Sequence, residues 1–316
     1  MRDKKKRDLL ISIVVPVFNE AENIKWHHNE MAHYLHTNKL RHEFIYVDDG
    51  SSDDTLSIIK SISRNDKSIR YVSLSKNFGK ESATAAGIGR TKGDVALIID
   101  ADGQHPIDML GVFLEKYRKG YDVVAGVRQS NTGEGFVKRH GSKLFYTTLR
   151  IIGGKKTIPG STDFRLIDRK VINAFNGMTE RNRVTRNLID WLGFCRIEVP
   201  FDAQKRHAGE ATYSTRKLFA LAINGIVGHS TRPLKLIALL GGIISTISAG
   251  TLVFVVLEKL LGDPLGLSIT GVAILAIFIS FLVGIVLVCQ GLLALYLESV
   301  YHETQNRPLY VIKEES

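Results

Sequence analysis

The sequence predicts an α/β domain with a mostly parallel sheet, followed by an interfacial helix and a C-terminal two-helix transmembrane hairpin. Short β-rich runs alternate with segments of helical spacing from residue 8 to about residue 200. Two long apolar runs without charged residues lie near the C-terminus. Strands that alternate with helices favour a parallel sheet covered on both faces, and apolar runs of this length are typical of membrane-spanning helices.

The predicted strands are short, apolar and rich in β-branched residues. They are Ile11–Val17, Phe44–Asp48, Ile69–Leu74, Val95–Ile99 and Asp122–Val127. The segments between them carry apolar residues at helical spacing, as in Thr55, Ile58, Ile59 and Ile62. In parallel α/β sheets, ligands bind beyond the carboxyl ends of the strands. The polar clusters PVFNE, DDGSSDDT and DADGQ follow the first, second and fourth predicted strands, so we expect them to face one crevice.

The two apolar runs extend from Leu236 to Leu257 and from Leu267 to Leu297. At about 1.5 Å per residue, each run is long enough to cross a hydrocarbon core of roughly 30 Å, although two buried helices of a soluble core would have a similar composition. Basic residues flank the pair on both outer sides, whereas the connecting loop carries a single lysine, Lys259. This charge distribution predicts that both termini and the α/β domain lie on the cytoplasmic side of the cell membrane.

The chain therefore divides into four predicted regions. They are the α/β domain at 1–213, a juxtamembrane region at 214–233, the hairpin at 234–298 with spans at about 236–257 and 268–297, and a cytoplasmic tail at 299–316. The juxtamembrane region is basic at its start and apolar further on. This pattern is typical of an interfacial helix on a membrane surface, and also of an ordinary packed helix.

The charge balance indicates an anionic partner. Lysine and arginine total 42 against 32 acidic residues, which gives a formal net charge of +10. Nucleic acid, a phospholipid surface or a phosphorylated substrate would suit this excess, but no nucleic-acid-binding motif accompanies it. The two cysteines, Cys195 and Cys289, argue against a disulfide framework and agree with a reducing compartment.

The stretch LIIDADGQHP carries two acidic side chains, Asp100 and Asp102, at the end of a predicted strand. Two neighbouring carboxylates without a cation or strong hydrogen bonds cost free energy. Together with the carboxamide oxygen of Gln104 they offer the oxygen ligands that Mg²⁺ and Mn²⁺ prefer. A lone D-x-D is also common in solvated turns, so the pattern needs support from other motifs.

The histidines are interpreted as structural or solvated residues. His105 follows the acidic pair, but a His-Pro pair here is more typical of a helix start than of a metal ligand. His27, His28 and His33 stand among polar residues of a predicted helix, so we expect them to be exposed to solvent.

Four motifs in order, IVVPVFNEAENI, VDDGSSDDT, IIDADGQHP and STDFRLIDRKV, resemble the family 2 glycosyltransferases with a GT-A fold. More narrowly, the chain resembles the polyprenyl-phosphate glycosyltransferases, relatives of dolichyl-phosphate mannose synthase and of bacterial enzymes that glucosylate undecaprenyl phosphate. The resemblance runs from about Ile11 to the end of the chain and includes the two predicted spans.

The resemblance implies a role for particular residues of this chain. Asp100, Asp102 and Gln104 would hold a divalent metal, Mg²⁺ or Mn²⁺, against the donor diphosphate. The nucleotide sugar would contact Pro16, Asn19, Glu20, Asp49 and Arg206. The acceptor phosphate would contact Arg128, Arg139 and Ser142. Asp163 would be the catalytic base, or alternatively a group that orients Arg165 or the sugar.

The chain departs from the family pattern in one basic loop. The segment RHAGEATY at 206–213 matches R-x-x-G-x-S-K-Y at Arg206 and Tyr213, but Ala211 and Thr212 replace the serine and the lysine. A lysine contact to the donor diphosphate from this loop is therefore not expected, unless Lys205 replaces it.

The activity implied by the resemblance is transfer of one sugar from a nucleotide donor, most simply a UDP-hexose such as UDP-glucose, to polyprenyl phosphate, with inversion at the anomeric carbon. The partners implied are the nucleotide sugar, the polyprenyl phosphate and membrane lipid, and a homo-oligomer is compatible with the sequence. A processive polysaccharide synthase is the nearest alternative, but the chain lacks its Q-x-x-R-W motif. A catalytically silent nucleotide-binding scaffold is the other alternative, and the intact carboxylates argue against it.

Overall fold

The computed structural model describes residues 8–129, 161–180, 183–204, 271–305 and 307–316, and the single positions 250, 257, 260 and 261. Three predicted site residues, Arg139, Ser142 and Arg206, lie outside the described residues, as do the juxtamembrane region and nearly all of the first predicted span. The chain forms two compact units, and all the elements that carry the predicted motifs belong to one of them.

The first half of that unit alternates between strands and helices as the sequence predicts. Its elements are β1 (Leu10–Val17), α1 (Ala21–Thr37), β2 (Arg41–Asp48), α2 (Thr55–Asn65), β3 (Ile69–Leu74), α3 (Lys80–Ile88), β4 (Val95–Ile98), α4 (Met109–Arg118) and β5 (Val123–Arg128). Each predicted strand is confirmed to within three residues at either end. The second half contains β6 (Ser161–Asp168), α5 (Arg169–Asn176), α6 (Thr185–Trp191), β7 (Arg196–Phe201) and, at the C-terminus, β8 (Ile312–Glu315).

The strands form one eight-stranded sheet in the order β7-β5-β6-β4-β1-β2-β3-β8. The pairs β1–β2, β1–β4, β2–β3 and β5–β7 are parallel, whereas β6 runs antiparallel to β4 and β5, and β8 runs antiparallel to β3. The prediction of an α/β fold with a mostly parallel sheet is therefore confirmed. Apolar side chains on the two faces of the sheet form two core clusters, one on each side.

Helix α3 lies unusually close to the sheet because its side chains are small. Its sequence KESATAAGI is buried at every residue from Ser82 to Ile88. A Cβ atom on Gly87 would lie 2.4 Å from Val14 Cγ1, which is too close for any real side chain. This close packing fixes the position of the N-terminus of α3, where Lys80 begins the helix at the carboxyl end of the sheet.

The C-terminal residues form an edge strand. The sequence does not predict this strand, since residues 299–316 are assigned there to a tail. Strand β8 pairs with β3 from Val72↔Glu315 to Leu74↔Ile312. Glu314 and Glu315 form ion pairs with Lys60 and Arg90. Charged residues suit an edge strand because one side of it faces water, and this polar composition conceals the strand in the sequence.

The second unit contains α7 (Gly271–Thr304), a helix of 34 residues that covers the second predicted span. Among the described residues, no helix meets the length and apolar character required to cross a membrane. The two-helix transmembrane hairpin stays a prediction.

Candidate active site

The crevice beyond β1 and β4 lies where the chain reverses its direction of travel across the sheet. From β1 the strands continue through β2 to β3 on one side, whereas β4 lies on the other side of β1. Such a reversal leaves a crevice at the carboxyl ends of the two central strands, where α/β proteins bind ligands. Pro16 lies within β1 and is buried. It lies two residues beyond Val14↔Ile98, the last residue pair between β1 and β4.

The loops that follow β1 and β2 are tied together by side-chain hydrogen bonds. The backbone N–H of Asn19 donates to Ser51 Oγ at 2.9 Å, and Asn19 Oδ1 accepts the backbone N–H of Ser52 at 2.9 Å. The N–H of Glu20 donates to Thr55 Oγ1 at 2.8 Å. Asn19 has a positive φ of 54°, which asparagine tolerates better than most residues. The structure therefore brings the predicted nucleotide residues Asn19 and Glu20 to the same edge as the DDGSSDDT motif.

Asp49 holds the loop that follows β3. Its carboxylate oxygens accept the backbone N–H groups of Phe78 at 2.8 Å and Gly79 at 2.9 Å. Burial raises the pKa of Asp49, although these two hydrogen bonds oppose the shift. In the structure Asp49 fixes the start of α3, and its contact with the nucleotide stays a prediction.

The acidic pair lies at the carboxyl end of β4, as predicted. Asp102 is only 7% exposed, and one of its oxygens accepts the backbone N–H of Gln104 at 3.0 Å. Gly103 between them has a φ of 78°, a left-handed conformation that favours glycine. Asp100 and Gln104 both line the cleft described below. The turn therefore places two of the three predicted metal ligands, Asp100 and Gln104, on the wall of the cleft, with Asp102 buried in the same turn.

Lys80 occupies the space between two carboxylates of the site. Its Nζ atom lies 2.7 Å from Asp100 Oδ1, 2.8 Å from Asp100 Oδ2 and 3.3 Å from Asp163 Oδ2. Burial by itself would raise the pKa of Asp100, but the Lys80 ammonium, followed by His105, holds it below its ordinary value. Burial would likewise lower the pKa of Lys80, but Asp100 and Asp163 raise it above its ordinary value. Both groups are therefore charged at neutral pH.

Asp163 reaches this corner because β6 is inserted antiparallel beside β4. The register pairs Ile98 with Arg165, so two residues further on Asp163 stands opposite Asp100. Asp163 Oδ1 is buried without a hydrogen-bond partner among the described residues, and Arg186 Nη1 lies 3.7 Å from it. Asp163 thus stands between two cations, Lys80 and Arg186.

Arg165 does not face the cleft. It is the largest fully buried side chain of the described residues and donates hydrogen bonds to the carbonyl oxygens of Thr162 at 3.0 Å and Arg186 at 3.3 Å. Burial lowers its pKa, and Asp190, at 3.6 Å, opposes this effect. Arg165 therefore ties β6 to the start of α6 and indirectly positions both Asp163 and Arg186.

His105 is a supporting residue behind the acidic pair. It is 8% exposed, its ring stacks on Phe164 at a centroid distance of 4.7 Å, and its Nδ1 accepts the backbone N–H of Asp100 at 3.3 Å. Burial lowers the pKa of His105. The sequence places a helix start at the His-Pro pair, whereas α4 begins at Met109.

The expectation that the helical histidines are exposed is wrong for two of the three. His27 is 1% exposed and His28 is 8% exposed, whereas His33 is exposed. Both buried residues lie on the face of α1 that carries Ile24, Met31 and Leu35. The helical spacing of these apolar residues outweighs the polar character of their neighbours in the sequence.

A cleft of about 230 Å³ opens between these groups. Its walls are formed by Asp100, Gln104, His105, Arg128, Thr162, Asp163, Arg186, Phe201 and Ala203. Arg128, the last residue of β5, is exposed and lies on the wall of the cleft, as predicted for an acceptor-phosphate contact. The cleft thus combines carboxylates that suit a cation with two arginines that suit anionic groups, and one of these, Arg186, lies beside Asp163.

The acidic corner fits a divalent cation that takes part of its ligands from a substrate. Among the described residues, no group of three or more His, Cys, Asp or Glu side chains converges as a complete metal cage. Asp100 and Asp102 with the Gln104 amide offer hard oxygen donors, and Asp100 already faces a cationic ammonium in the structure. Mg²⁺ is usually held by one or two carboxylates plus substrate phosphates and water, so an incomplete protein cage suits it.

Two residues of the site, Lys80 and Arg186, are not predicted from the sequence. One feature of the sequence could have indicated Lys80. A cation in the first turn of a helix opposes the helix dipole, so a lysine there indicates a nearby negative charge. Arg186 carries no such signal, since its position beside Asp163 depends on how α6 packs against β6.

The sequence matches the family model "Glycosyl transferase family 2" over residues 12–175. An uncharacterized glycosyltransferase of Synechocystis sp. is 37% identical over 304 residues, covering 96% of this chain and 95% of that protein. The bactoprenol glucosyl transferase of Shigella phage SfII is 33% identical over 304 residues, covering 96% of this chain and 97% of the phage protein. A crystal structure of glucosyl-3-phosphoglycerate synthase from Mycobacterium tuberculosis with Mn²⁺, UDP-glucose and phosphoglyceric acid is 20% identical, with a TM-score of 0.47 and coverage of 69% of this chain and 78% of that chain.

The family model covers more than half of the chain, and the relatives match nearly all of it. The protein belongs to glycosyl transferase family 2 and is a glycosyltransferase. The resemblance inferred from the four motifs is confirmed.

Proposed function

We propose that the enzyme transfers one sugar from a nucleotide sugar, a UDP-hexose such as UDP-glucose, to a polyprenyl phosphate at the cytoplasmic face of the cell membrane. The observation that carries the proposal is the division of charge in the cleft. The cleft is lined by the carboxylates of Asp100 and Asp163 and by the guanidinium groups of Arg128 and Arg186, so it can take a cation at Asp100 and anionic groups at Arg128. The relatives named bactoprenol glucosyl transferase, matched over almost their whole length, support the lipid phosphate as acceptor.

The donor side of the reaction needs stabilisation of a leaving nucleoside diphosphate. A divalent ion held by Asp100, Asp102 and Gln104 would neutralise the negative charge that develops on the leaving phosphate oxygen. Asn19 and Glu20, which are hydrogen-bonded to the loop at 48–55, would contact the nucleotide. Preorganised charges of this kind usually contribute the largest share of catalysis, because they need not reorganise during the reaction.

The acceptor side needs orientation more than activation. A phosphate monoester has a second pKa near 6, by analogy with phosphorylated side chains, so at neutral pH it is largely a dianion and already nucleophilic. Arg128 binds the phosphate through its planar fork of donors. Attack on the face opposite the leaving diphosphate inverts the anomeric carbon.

Asp163 in this proposal orients the cations at the reacting centre. It contacts Lys80 at 3.3 Å and lies 3.7 Å from Arg186, so two positive charges surround it. A dianionic acceptor does not require a strong base, so we assign Asp163 an orienting role, exerted on Lys80 and Arg186 rather than on Arg165 or the sugar.

The test is transfer to undecaprenyl phosphate by the full-length protein. Membranes or purified protein are incubated with labelled UDP-glucose, other labelled nucleotide sugars and undecaprenyl phosphate, with Mg²⁺ or with a chelator. We expect one sugar per lipid phosphate, and loss of transfer when the metal is removed. An Asp100→Asn variant should lose about 10²–10³-fold in rate, as removal of a key electrostatic group does. Asp108→Asn, an exposed carboxylate in the same segment, is the matched control and should be unaffected.

Two results would contradict the proposal. Products with several sugars on one acceptor would indicate a processive synthase. Absence of transfer to any lipid phosphate, with intact folding and nucleotide binding, would indicate a scaffold or a different acceptor.

A further inference from the structure

Lys80 has a position that the proposed reaction does not yet explain. Its ammonium group contacts both oxygens of Asp100, at 2.7 and 2.8 Å, and Asp163 at 3.3 Å. The ammonium group therefore lies where a divalent cation bound to Asp100 would lie. Its side chain is nevertheless 43% exposed, so it has room to move.

The placement of Lys80 is built into the fold by three separate features. Asp49 fixes the N–H groups of Phe78 and Gly79, immediately before the lysine. Gly79 has a φ of 95°, which a residue with a side chain rarely adopts. Gly87 allows α3 to approach the sheet closely. The N-terminus of a helix disfavours a lysine, so the two carboxylates compensate for a position that the helix alone would oppose.

Lys80 and a divalent ion cannot both use the two oxygens of Asp100. Like charges within a few ångströms repel strongly in a partly buried site. When the metal and the donor diphosphate enter the cleft, the ammonium must release at least one of its contacts. Lysine suits such a move, because its charge sits on a flexible four-carbon stem with rotatable donors. The released group can then bind the incoming diphosphate while it keeps its contact with Asp163.

A second observation supports a lysine on the donor side. In the segment at 206–213, Thr212 occupies the position where the family pattern has a lysine, so a lysine contact to the donor diphosphate from this segment is not expected, unless Lys205 replaces it. Lys80 provides a positive charge at the same reacting centre from a different element, α3.

We propose that Lys80 is the resting counter-ion of the acidic corner and becomes a ligand of the donor diphosphate when the nucleotide sugar and its metal bind. The inference rests on the proposed function for the identity of the donor. The inference predicts that removal of the lysine charge strengthens metal binding to the free enzyme and weakens nucleotide binding. A purely structural role of Lys80 would not produce this pair of opposite effects.

The experiment measures Mn²⁺ and UDP binding separately on full-length protein. Mn²⁺ binding without nucleotide is followed by electron paramagnetic resonance, and UDP binding at saturating Mn²⁺ by calorimetry. For Lys80→Met we expect Mn²⁺ to bind about tenfold more tightly or better, because a competing positive charge is removed. UDP should bind about tenfold more weakly, because a charged hydrogen bond to phosphate is lost. Lys80→Arg should retain wild-type Mn²⁺ affinity and most of the UDP affinity.

The matched control is Lys76→Met in the loop before α3. The Lys76 side chain is exposed, and its ammonium group lies over the Phe78 ring and not beside Asp100. It should change neither constant. Lys80→Gln gives a polar second variant, and a thermal melt of each variant confirms folding. Unchanged or weaker Mn²⁺ binding in folded Lys80→Met or Lys80→Gln overturns the proposal, as does tighter Mn²⁺ binding with unchanged UDP affinity.

The outcome is distinguishable from failure of the proposed function. Neither binding measurement contains an acceptor, so a different acceptor leaves both results in place. Absence of nucleotide-free Mn²⁺ binding in every variant, the wild type included, overturns this inference, whereas the metal requirement proposed above is tested separately by the chelator in the transfer assay.

Discussion

The buried histidine on α1 predicts a specific pH dependence of stability. His27 is 1% exposed, and neither ring nitrogen has a hydrogen-bond partner among the described residues. Burial, reinforced by repulsion from His28 and His105, lowers the pKa of His27 from 6.5 to about 4, although Asp100 opposes the shift. The folded protein therefore holds this imidazole in its neutral form through most of the acidic range.

The sign and size of the effect follow from linkage. Between pH 6.5 and about 4 the unfolded chain binds a proton at His27 that the folded protein does not bind. Above pH 6.5 the titration of His27 therefore costs no stability, and the free energy of unfolding decreases as the pH falls from 6.5 toward 4. At about 1.4 kcal/mol per pH unit, the loss amounts to about 3 kcal/mol by pH 4. At roughly 2–4 °C per kcal/mol for a domain of this size, that is a fall of about 6–12 °C in melting temperature.

The perturbation is His27→Leu, which fills the same buried position with an apolar side chain. Between pH 7 and pH 4, the free energy of unfolding of the variant should fall by about 3 kcal/mol less than that of the wild type, because the leucine has no group to protonate. At pH 7 it should be as stable as the wild type or more stable, since a buried polar group without a partner is costly. The assay is thermal unfolding from pH 4 to pH 8.

The control for His27 is His33→Leu on the exposed face of the same helix. It should follow the wild-type pH profile. Parallel pH profiles for His27→Leu and the wild type would refute the reasoning, because they would show that His27 titrates alike in the folded and unfolded chain.

Three further predictions concern packing, the acceptor and Asp163. Gly87→Ala should cost about 1–3 kcal/mol in unfolding experiments, because its Cβ would lie 2.4 Å from Val14 Cγ1, whereas Gly89→Ala, with 3.4 Å to its nearest neighbour, should be nearly neutral. Arg128→Ala should raise the KM for the lipid phosphate about tenfold with little change in donor KM, as loss of a charged hydrogen bond does; Lys119→Ala is the control. Asp163→Asn should lower kcat about 10²-fold or more while the pH–rate profile keeps its shape.

Each of these has a clear contrary result. A neutral Gly87→Ala would show that α3 does not pack on β1 as described. Unchanged acceptor kinetics in Arg128→Ala would place the lipid phosphate elsewhere. Disappearance of the acidic limb of the pH–rate profile in Asp163→Asn would identify Asp163 as the general base.

The strands of the first half could be predicted because their buried runs are short, apolar and bounded by polar turns. The antiparallel strand β6 could not be predicted. It carries the charged residues Asp163 and Arg165, and its position depends on pairing with β4 and β5. Its insertion is what brings Asp163 opposite Asp100. No pattern within either segment encodes that pairing, which depends on long-range contacts.

The candidate site could be predicted in its residue types more than in its contacts. Asp100, Gln104, Arg128 and Asp163 line one cleft, as the motifs indicate. Asp49 was expected at the nucleotide, but its oxygens accept two backbone N–H groups, an interaction that local sequence does not reveal. Lys80 completes the charge balance of the corner, yet it lies 20 residues from Asp100 along the chain and is brought there by the packing of α3.

The most direct test of the account is the position of the metal and the diphosphate in the cleft. Crystals of the protein grown with Mn²⁺ and UDP would be measured at a wavelength where manganese scatters anomalously. We expect an anomalous peak between the carboxylates of Asp100 and Asp102, with the diphosphate bound to that ion beside Lys80. A cleft without such a peak, with the nucleotide bound at another place, would contradict the central claim that this acidic corner binds the donor.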